Sequence, residues 1–224
     1  MRHAPASSRD ILLGLPRGRG HEGGERGQGL VEFAMLVPVF LLLLLGMLEF
    51  GFAFDQNLTL EYATREGVRV GSALANGGGT LGCGTGQSPN AATVDKQIVA
   101  AVQRVLLSPG SRVTPVIGVT QVLIWSADAN GAPIAGTTNT WTYTGPNTGP
   151  TVDLQTIAFT QGSHPWDPCS RNNGGSSPDS IGVSMSHTYR FQTPLAGILR
   201  FFGGASAGQL TISDKTVMAL NPTK

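Results

Sequence analysis

The most apolar part of the chain lies near its N-terminus, at residues 33–54, and reads FAMLVPVFLLLLLGMLEFGFAF. These 22 residues carry a single charge, Glu49, close to the far end. A helix of this length extends about 33 Å, which matches a hydrocarbon core of ~30 Å. Pro38 lies within the run and is predicted to kink the helix, which a membrane span tolerates. The pattern therefore predicts a transmembrane helix at residues 33–54.

The residues that flank this run predict its orientation. Arginines precede it at positions 2, 9, 17, 19 and 26, so the positive-inside rule places the N-terminus in the cytoplasm and the residues after 54 outside. The alternative is a cleaved secretory signal, with Gly51 and Ala53 as a weak cleavage site. The run is longer than the roughly 7–15 apolar residues of such signals. A retained anchor is therefore favoured.

Helical periodicity continues beyond the apolar run. Small and apolar residues recur at spacings of three and four, which places them on one helix face: Leu60, Ala63, Gly67, Val70 and Leu74. The simplest prediction is one long helix over residues 30–75, with glycines at 46, 51, 67 and 71 as points where it can bend. The alternative is a short juxtamembrane helix with its own turn.

The remaining sequence predicts a second helix and then strands. Residues 91–107 have a helical apolar face and are followed by Pro109-Gly110. Residues 181–191 alternate strictly between apolar and polar side chains, which is typical of a half-buried strand. The other predictions are strands at 113–125, 138–143, 152–160 and 210–220, a hairpin turn at 128–131 and a surface loop at 163–180. This order predicts an α+β fold with an antiparallel sheet.

Composition and charge narrow the class of protein. Glycine accounts for 31 of the 224 residues, roughly twice its usual share. Charged residues account for 13%, roughly half their usual share. These shares argue against a coiled coil and against a charge-rich disordered chain. The formal net charge is +1, so no long-range field attracts nucleic acid, and we expect no nucleic-acid partner.

The most specific chemistry lies just before the apolar run. Gly27 follows the basic leader, and Glu32 is a lone carboxylate at the start of the apolar helix, where a charge is costly without a partner. Cleavage between Gly27 and Gln28 creates an α-amino group at the membrane face, with which Glu32 of a neighbouring subunit can pair. This is the logic of type IV and class III prepilin signals. The alternative is that Glu32 simply interacts with the dipole at a helix N-terminus.

The same residues resemble the TadE-like (TadE/TadG) family of tight-adherence, or Flp, pilus systems. The resemblance covers residues 26–75, about a fifth of the chain. It rests on RGQGLVEFA at residues 26–34, Leu36-Val37-Pro38, Gly46, Glu49-Phe50-Gly51 and ATREGVRVG at residues 63–71.

The resemblance implies a minor pilin or pseudopilin-like subunit that serves assembly of a Flp/Tad pilus. Residues 1–27 are then a cytoplasmic leader removed by a prepilin peptidase, residues 28–75 the anchor segment, and residues 76–224 an extracytoplasmic head. Glu32 and Phe33 are the implied assembly and recognition residues. The alternative is an uncleaved, TadG-like membrane-anchored adhesin or binding module at the cell surface.

The resemblance also implies the location and the partners. The expected location is the bacterial inner membrane, crossed once, with possible incorporation into a surface pilus. The expected partners are the prepilin peptidase, other pilin or TadE-like subunits, the inner-membrane assembly platform and the lipid bilayer.

The two cysteines, Cys83 and Cys169, both fall in predicted loops outside the membrane. That compartment permits disulfides, so we predict a Cys83–Cys169 bridge. The competing interpretation is a metal site formed by His164, Asp167 and Cys169, but its spacing is loose and a fourth ligand is needed. No metal site is therefore predicted.

Short motifs that are typical of enzymes lack their required context. Residues 204–208 match G-x-S-x-G, but a strand is predicted after them instead of a helix, and no histidine follows His187. Residues 77–82 match G-x-G-x-x-G, but they follow a helix and lie outside the cytoplasm. We therefore predict neither an active site nor a cofactor.

Overall fold

The computed structural model describes residues 23–75, 91–109, 118–174, 177–204 and 206–221. The chain divides into two units, residues 1–43 and residues 44–224. The described part of the first unit is the beginning of helix α1 (Gly23–Leu74). The second unit contains the remainder of α1 and the other described elements.

The second unit combines helices with an antiparallel sheet, which confirms the predicted α+β class. Its further helices are α2 (Ala91–Leu106) and α3 (Leu195–Gly203). Its strands are β1 (Val119–Ala127), β2 (Pro133–Tyr143), β3 (Thr151–Val152), β4 (Gln155–Thr156), β5 (Phe159–Gln161), β6 (Ser180–Arg190) and β7 (Gln209–Ala219).

Five of these strands form one sheet in the order β5-β2-β1-β6-β7, and β3 pairs with β4 separately. The strands pair antiparallel throughout, with β6 in the middle of the β1-β6-β7 part. In the register of β6, Val183 lies opposite Ile124 of β1 and Thr216 of β7. The predicted hairpin turn connects β1 to β2, where Asp128 Oδ1 accepts hydrogen bonds from the backbone N–H groups of Asn130 and Ala132, each 2.8 Å long.

Two glycines of α1 allow this helix to pack closely on its neighbours. A Cβ atom at Gly67 would lie 2.7 Å from Val102 Cγ2 of α2. A Cβ atom at Gly71 would lie 2.7 Å from Ile181 Cδ1 of β6. Such separations are shorter than ordinary contacts between carbon atoms. The absence of a side chain at both positions therefore lets α1 pack against α2 and the sheet, and the predicted bend at the α1 glycines stays a prediction.

Several elements differ from their prediction. The strand predicted at residues 113–125 corresponds to β1, which ends two residues later, at Ala127. The first part of the predicted strand falls within residues 110–117, outside the described part of the chain. Residues 152–160 do not form one strand, because Asp153 and Leu154 adopt positive φ angles of 47° and 63° and turn the chain between β3 and β4. Helix α3 was not predicted.

Candidate membrane anchor and assembly site

Within the described residues, one helix is long and apolar enough to cross a membrane, residues Gly27–Leu74 of α1. No residue in the most apolar stretch of this helix is buried inside the protein. Large apolar side chains are exposed from Leu30 to Leu48. Apolar surface of this extent is unfavourable in water and favourable in a hydrocarbon phase. These properties support single-pass membrane anchoring.

The predicted cleavage and assembly residues lie at the start of this helix. Gly27 and Gln28 are inside α1, and the Gln28 side-chain amide donates a hydrogen bond of 3.1 Å to Glu32 Oε1. Glu32 and Phe33 are both exposed. Helix α1 begins more than two turns before Glu32. A helix dipole acts mainly on its first turn, so the N-terminal dipole does not account for a carboxylate at this position in the uncut chain.

Pro38 also lies inside α1, which continues on both sides of it. Proline removes one backbone donor from the helix and leaves one carbonyl without its usual partner. The kink predicted at Pro38 stays a prediction.

Glu49, the charge at the end of the apolar run, is buried in the second unit, with only 3% of its surface exposed. Its carboxylate accepts hydrogen bonds from the Tyr189 hydroxyl of β6 and from the backbone N–H of Thr193. Burial, together with the hydrogen bond to Glu49, raises the pKa of Tyr189, so this hydroxyl stays protonated and acts as the donor. The carboxylate thus has two donors in place of water.

Two turns further along α1, the Gln56 side chain reaches His187 of β6. His187 Nε2 donates a hydrogen bond of 2.8 Å to Gln56 Oε1, and both residues are buried. Burial lowers the pKa of His187, and a hydrogen bond from the imidazole to the Gly118 backbone opposes this effect. The neutral imidazole is therefore favoured in the folded chain.

Two more residues on the same face of α1 make polar contacts with the sheet. The Thr64 hydroxyl donates to Asp214 of β7 and lies 3.0 Å from the Thr216 hydroxyl. The Ser72 hydroxyl donates a 2.6 Å hydrogen bond to the backbone carbonyl of Ala219, at the end of β7. We call the four α1 residues Glu49, Gln56, Thr64 and Ser72 the polar ladder.

The comparison with protein families identifies the segment that carries these features. A family model described as "TadE-like protein" matches residues 27–69. We call residues 27–69, which are similar to this family, the TadE-like segment. This match confirms the predicted resemblance and implies a membrane-anchored protein related to the Tad pilus. Comparisons with curated proteins and with solved structures found no match.

The TadE-like segment contains both the exposed apolar run and most of the polar ladder. Three ladder residues, Glu49, Gln56 and Thr64, lie within it, and Ser72 follows it. They recur every seven or eight residues, or about two helical turns, so they share one face of α1. The segment therefore contains both an apolar anchor and a helix face whose polar side chains form hydrogen bonds with the sheet.

A buried ion pair, which was not predicted from the sequence, connects the loop after β5 to α2. Arg171 Nη2 donates to Asp95 Oδ1 of α2 at 2.6 Å, and both side chains are buried. The guanidinium lies 4.3 Å from the centre of the Trp166 ring. Asn139 of β2 donates to Asp95 Oδ2 and accepts from the Trp166 backbone N–H. The predicted surface loop at 163–180 is thus partly anchored in the interior.

Cys83, one end of the predicted Cys83–Cys169 disulfide, lies outside the described residues, and the bridge stays a prediction. Cys169 lies in a short 3-10 helix, Pro168–Ser170, and its backbone N–H donates to Asp167 Oδ1. Asp167, a ligand in the alternative metal site, therefore caps this turn. Among the described residues, no three histidine, cysteine, aspartate or glutamate side chains form a metal-binding group.

Proposed function

We propose that this chain is a minor pilin-like subunit that serves assembly of a Flp/Tad pilus. In this proposal it is anchored once in the bacterial inner membrane and matures by cleavage after Gly27. The observation that carries the proposal is the family match at residues 27–69, which includes the predicted cleavage bond, Glu32 and the exposed apolar run. The partners are the prepilin peptidase, other pilin or TadE-like subunits and the inner-membrane assembly platform.

The local sequence supports cleavage at the Gly27–Gln28 bond. The bond lies inside α1, so a peptidase must unwind the beginning of the helix to reach it. Four of the first seven residues of α1 are glycines, at positions 23, 24, 27 and 29. Each glycine makes a helix interior less stable than alanine does by about 1 kcal/mol, so this end of the helix unwinds at low cost.

The environment of Glu32 supports a role in assembly. In the single chain its carboxylate receives a neutral amide donor from Gln28 and is otherwise exposed. Cleavage gives Gln28 a charged α-amino group, and a hydrogen bond from a charged donor is roughly twice as strong as one from a neutral donor. The new amine of a neighbouring subunit therefore competes well with the Gln28 amide. The pairing fixes the axial position of each subunit against the next.

The test compares Glu32→Gln with Gly27→Leu in cells that carry the pilus machinery. Glu32→Gln should leave processing and membrane level unchanged but abolish or strongly reduce piliation, because the neutral amide cannot pair with the amine. Gly27→Leu should leave uncut precursor in the membrane, because a bulky side chain blocks the peptidase. Glu25→Gln, in the leader, is the matched control and should leave processing and piliation normal. Normal piliation by Glu32→Gln would contradict the assembly role.

The second candidate is an uncleaved, TadG-like anchored adhesin or binding module. The observation that favours it is that residues 70–224, with the sheet and α3, lie outside the family match. An adhesin retains Met1 or the leader in its mature form and is absent from sheared filaments. A pilin-like subunit loses the leader and depends on the peptidase.

A further inference from the structure

Helix α3 (Leu195–Gly203) exposes an apolar surface that no described part of the chain covers. It has no buried residue. Phe201 and Phe202 are 83% and 82% exposed, and Ile198 lies one turn before them. A soluble domain rarely leaves two adjacent phenylalanines in water, so this surface has a partner.

The position of α3 in the second unit indicates what that partner is. The backbone N–H of Thr193, two residues before α3, donates to the Glu49 carboxylate, and the Thr193 hydroxyl accepts from the Leu195 N–H. The residues just before Glu49 on α1, Leu44, Met47 and Leu48, are exposed and apolar. Helix α3 thus begins beside the end of the apolar surface that anchors the chain. With nine residues it is only about 13 Å long, so all of it lies near that end.

We propose that α3 is a second membrane contact, a helix that lies in the headgroup region and inserts Phe201 and Phe202 among the acyl chains. Its composition fits this role, because its one charged residue is Arg200. Interfacial helices combine aromatic and aliphatic side chains with a cation that contacts anionic headgroups, and they enter ~5–10 Å deep. The hydrogen bond from Thr193 to Glu49 then connects the spanning helix to the start of the interfacial helix. This contact requires neither cleavage nor pilus assembly.

The test uses the full chain reconstituted in vesicles of phosphatidylcholine and phosphatidylglycerol. Phe201→Trp and Phe202→Trp each place a fluorophore on α3. The emission of each is compared in vesicles with bromine near the headgroup end of the acyl chains and in vesicles with bromine near the terminal methyl groups. Leu154→Trp is the matched control, because Leu154 is 101% exposed in the β3–β4 turn. The native Trp125, Trp141 and Trp166 are buried and define the background in the unmodified chain.

The proposal predicts a blue-shifted emission for both α3 variants and a greater loss of emission with bromine near the headgroup than with bromine near the methyl end. Leu154→Trp should keep its emission in both vesicles. Quenching no greater than that of Leu154→Trp would overturn the proposal. Stronger quenching by the methyl-end bromine would also overturn it, since the helix would then lie deep in the membrane. A blue shift without quenching that grows with protein density would assign the surface to a second copy instead.

Discussion

At the residue scale, Glu49 shows how a charge can occupy the end of a membrane-like helix. Both of its oxygens accept hydrogen bonds, from Tyr189 and from the Thr193 backbone, so the carboxylate is buried with partners. Removal of a buried acceptor leaves each donor without a partner at a cost of about 1–3 kcal/mol. Glu49 therefore stabilises the contact between α1 and the segment that precedes α3.

We predict that Glu49→Leu lowers the free energy of unfolding by about 2–4 kcal/mol, because it leaves the buried Tyr189 hydroxyl and the half-buried Thr193 N–H without their acceptor. Glu49→Gln should cost less, since one acceptor oxygen remains. The measurement is denaturant unfolding of the full chain in micelles, followed by near-ultraviolet circular dichroism. Glu61→Gln is the control, because Glu61 forms a surface ion pair with Arg65 and should change stability by less than about 0.5 kcal/mol. Equal effects of Glu49→Leu and Glu61→Gln would contradict this role.

His187 gives the fold a pH dependence of known sign. Its pKa in the folded chain is below the ordinary value of 6.5, because it is buried. As the pH falls below about 6.5 the unfolded chain binds a proton at this residue before the folded chain does, so the stability decreases until the folded imidazole also titrates. His187→Gln should flatten this decrease in unfolding experiments over a pH series. His164→Gln, at an exposed position, should leave the decrease unchanged; an identical slope in both variants would refute the assignment.

At the element scale, α1 depends on small residues where it crosses its neighbours. We predict that Gly67→Ala lowers stability by up to about 2 kcal/mol, since overpacking costs more than the gain in helix propensity. The methyl group would meet the side chains of Val102 and Val183, 2.7 Å and 3.4 Å away. Gly51→Ala is the matched control, because no atom lies within 4 Å of its added Cβ, and it should be neutral or slightly stabilising. The thermal unfolding midpoint should fall for Gly67→Ala and stay unchanged or rise for Gly51→Ala; an equal fall in both variants would argue against close packing.

The spacing of apolar residues in the sequence predicted most helices and strands, but it did not predict the polar contacts between α1 and the sheet. The alternation in β6 and the apolar faces of α1 and α2 each reflect one buried side, which the sequence records directly. The polar ladder could not be predicted in this way, because a polar residue on a helix is ordinarily solvated and its partners, such as His187 and Asp214, are remote in sequence. The spacing of seven to eight residues was the available signal. Helix α3 was missed because it is short, apolar on most sides and followed by a glycine-rich loop.

At the scale of the whole molecule, the Arg171–Asp95 ion pair ties the long loop to α2. We predict that Arg171→Met alone destabilises the chain by about 3–5 kcal/mol, because it leaves Asp95 charged and buried. The double variant Asp95→Leu, Arg171→Met should regain most of that loss, because no charge then remains unpaired. A double-mutant cycle by chemical denaturation measures the coupling. Additive losses in the double variant would show that the two side chains are not coupled.

We propose that this chain is a membrane-anchored, pilin-like subunit that is cut after Gly27. The N-terminus of the native protein, purified from cells with the prepilin peptidase and from cells without it, tests this proposal. Mass spectrometry is the suitable method, because an N-terminal glutamine can cyclise and block chemical sequencing. We expect a chain that begins at Gln28 when the peptidase is present and one that retains the leader when it is absent. A chain that begins at Met1, or after residue 53, in cells that contain the peptidase would contradict it.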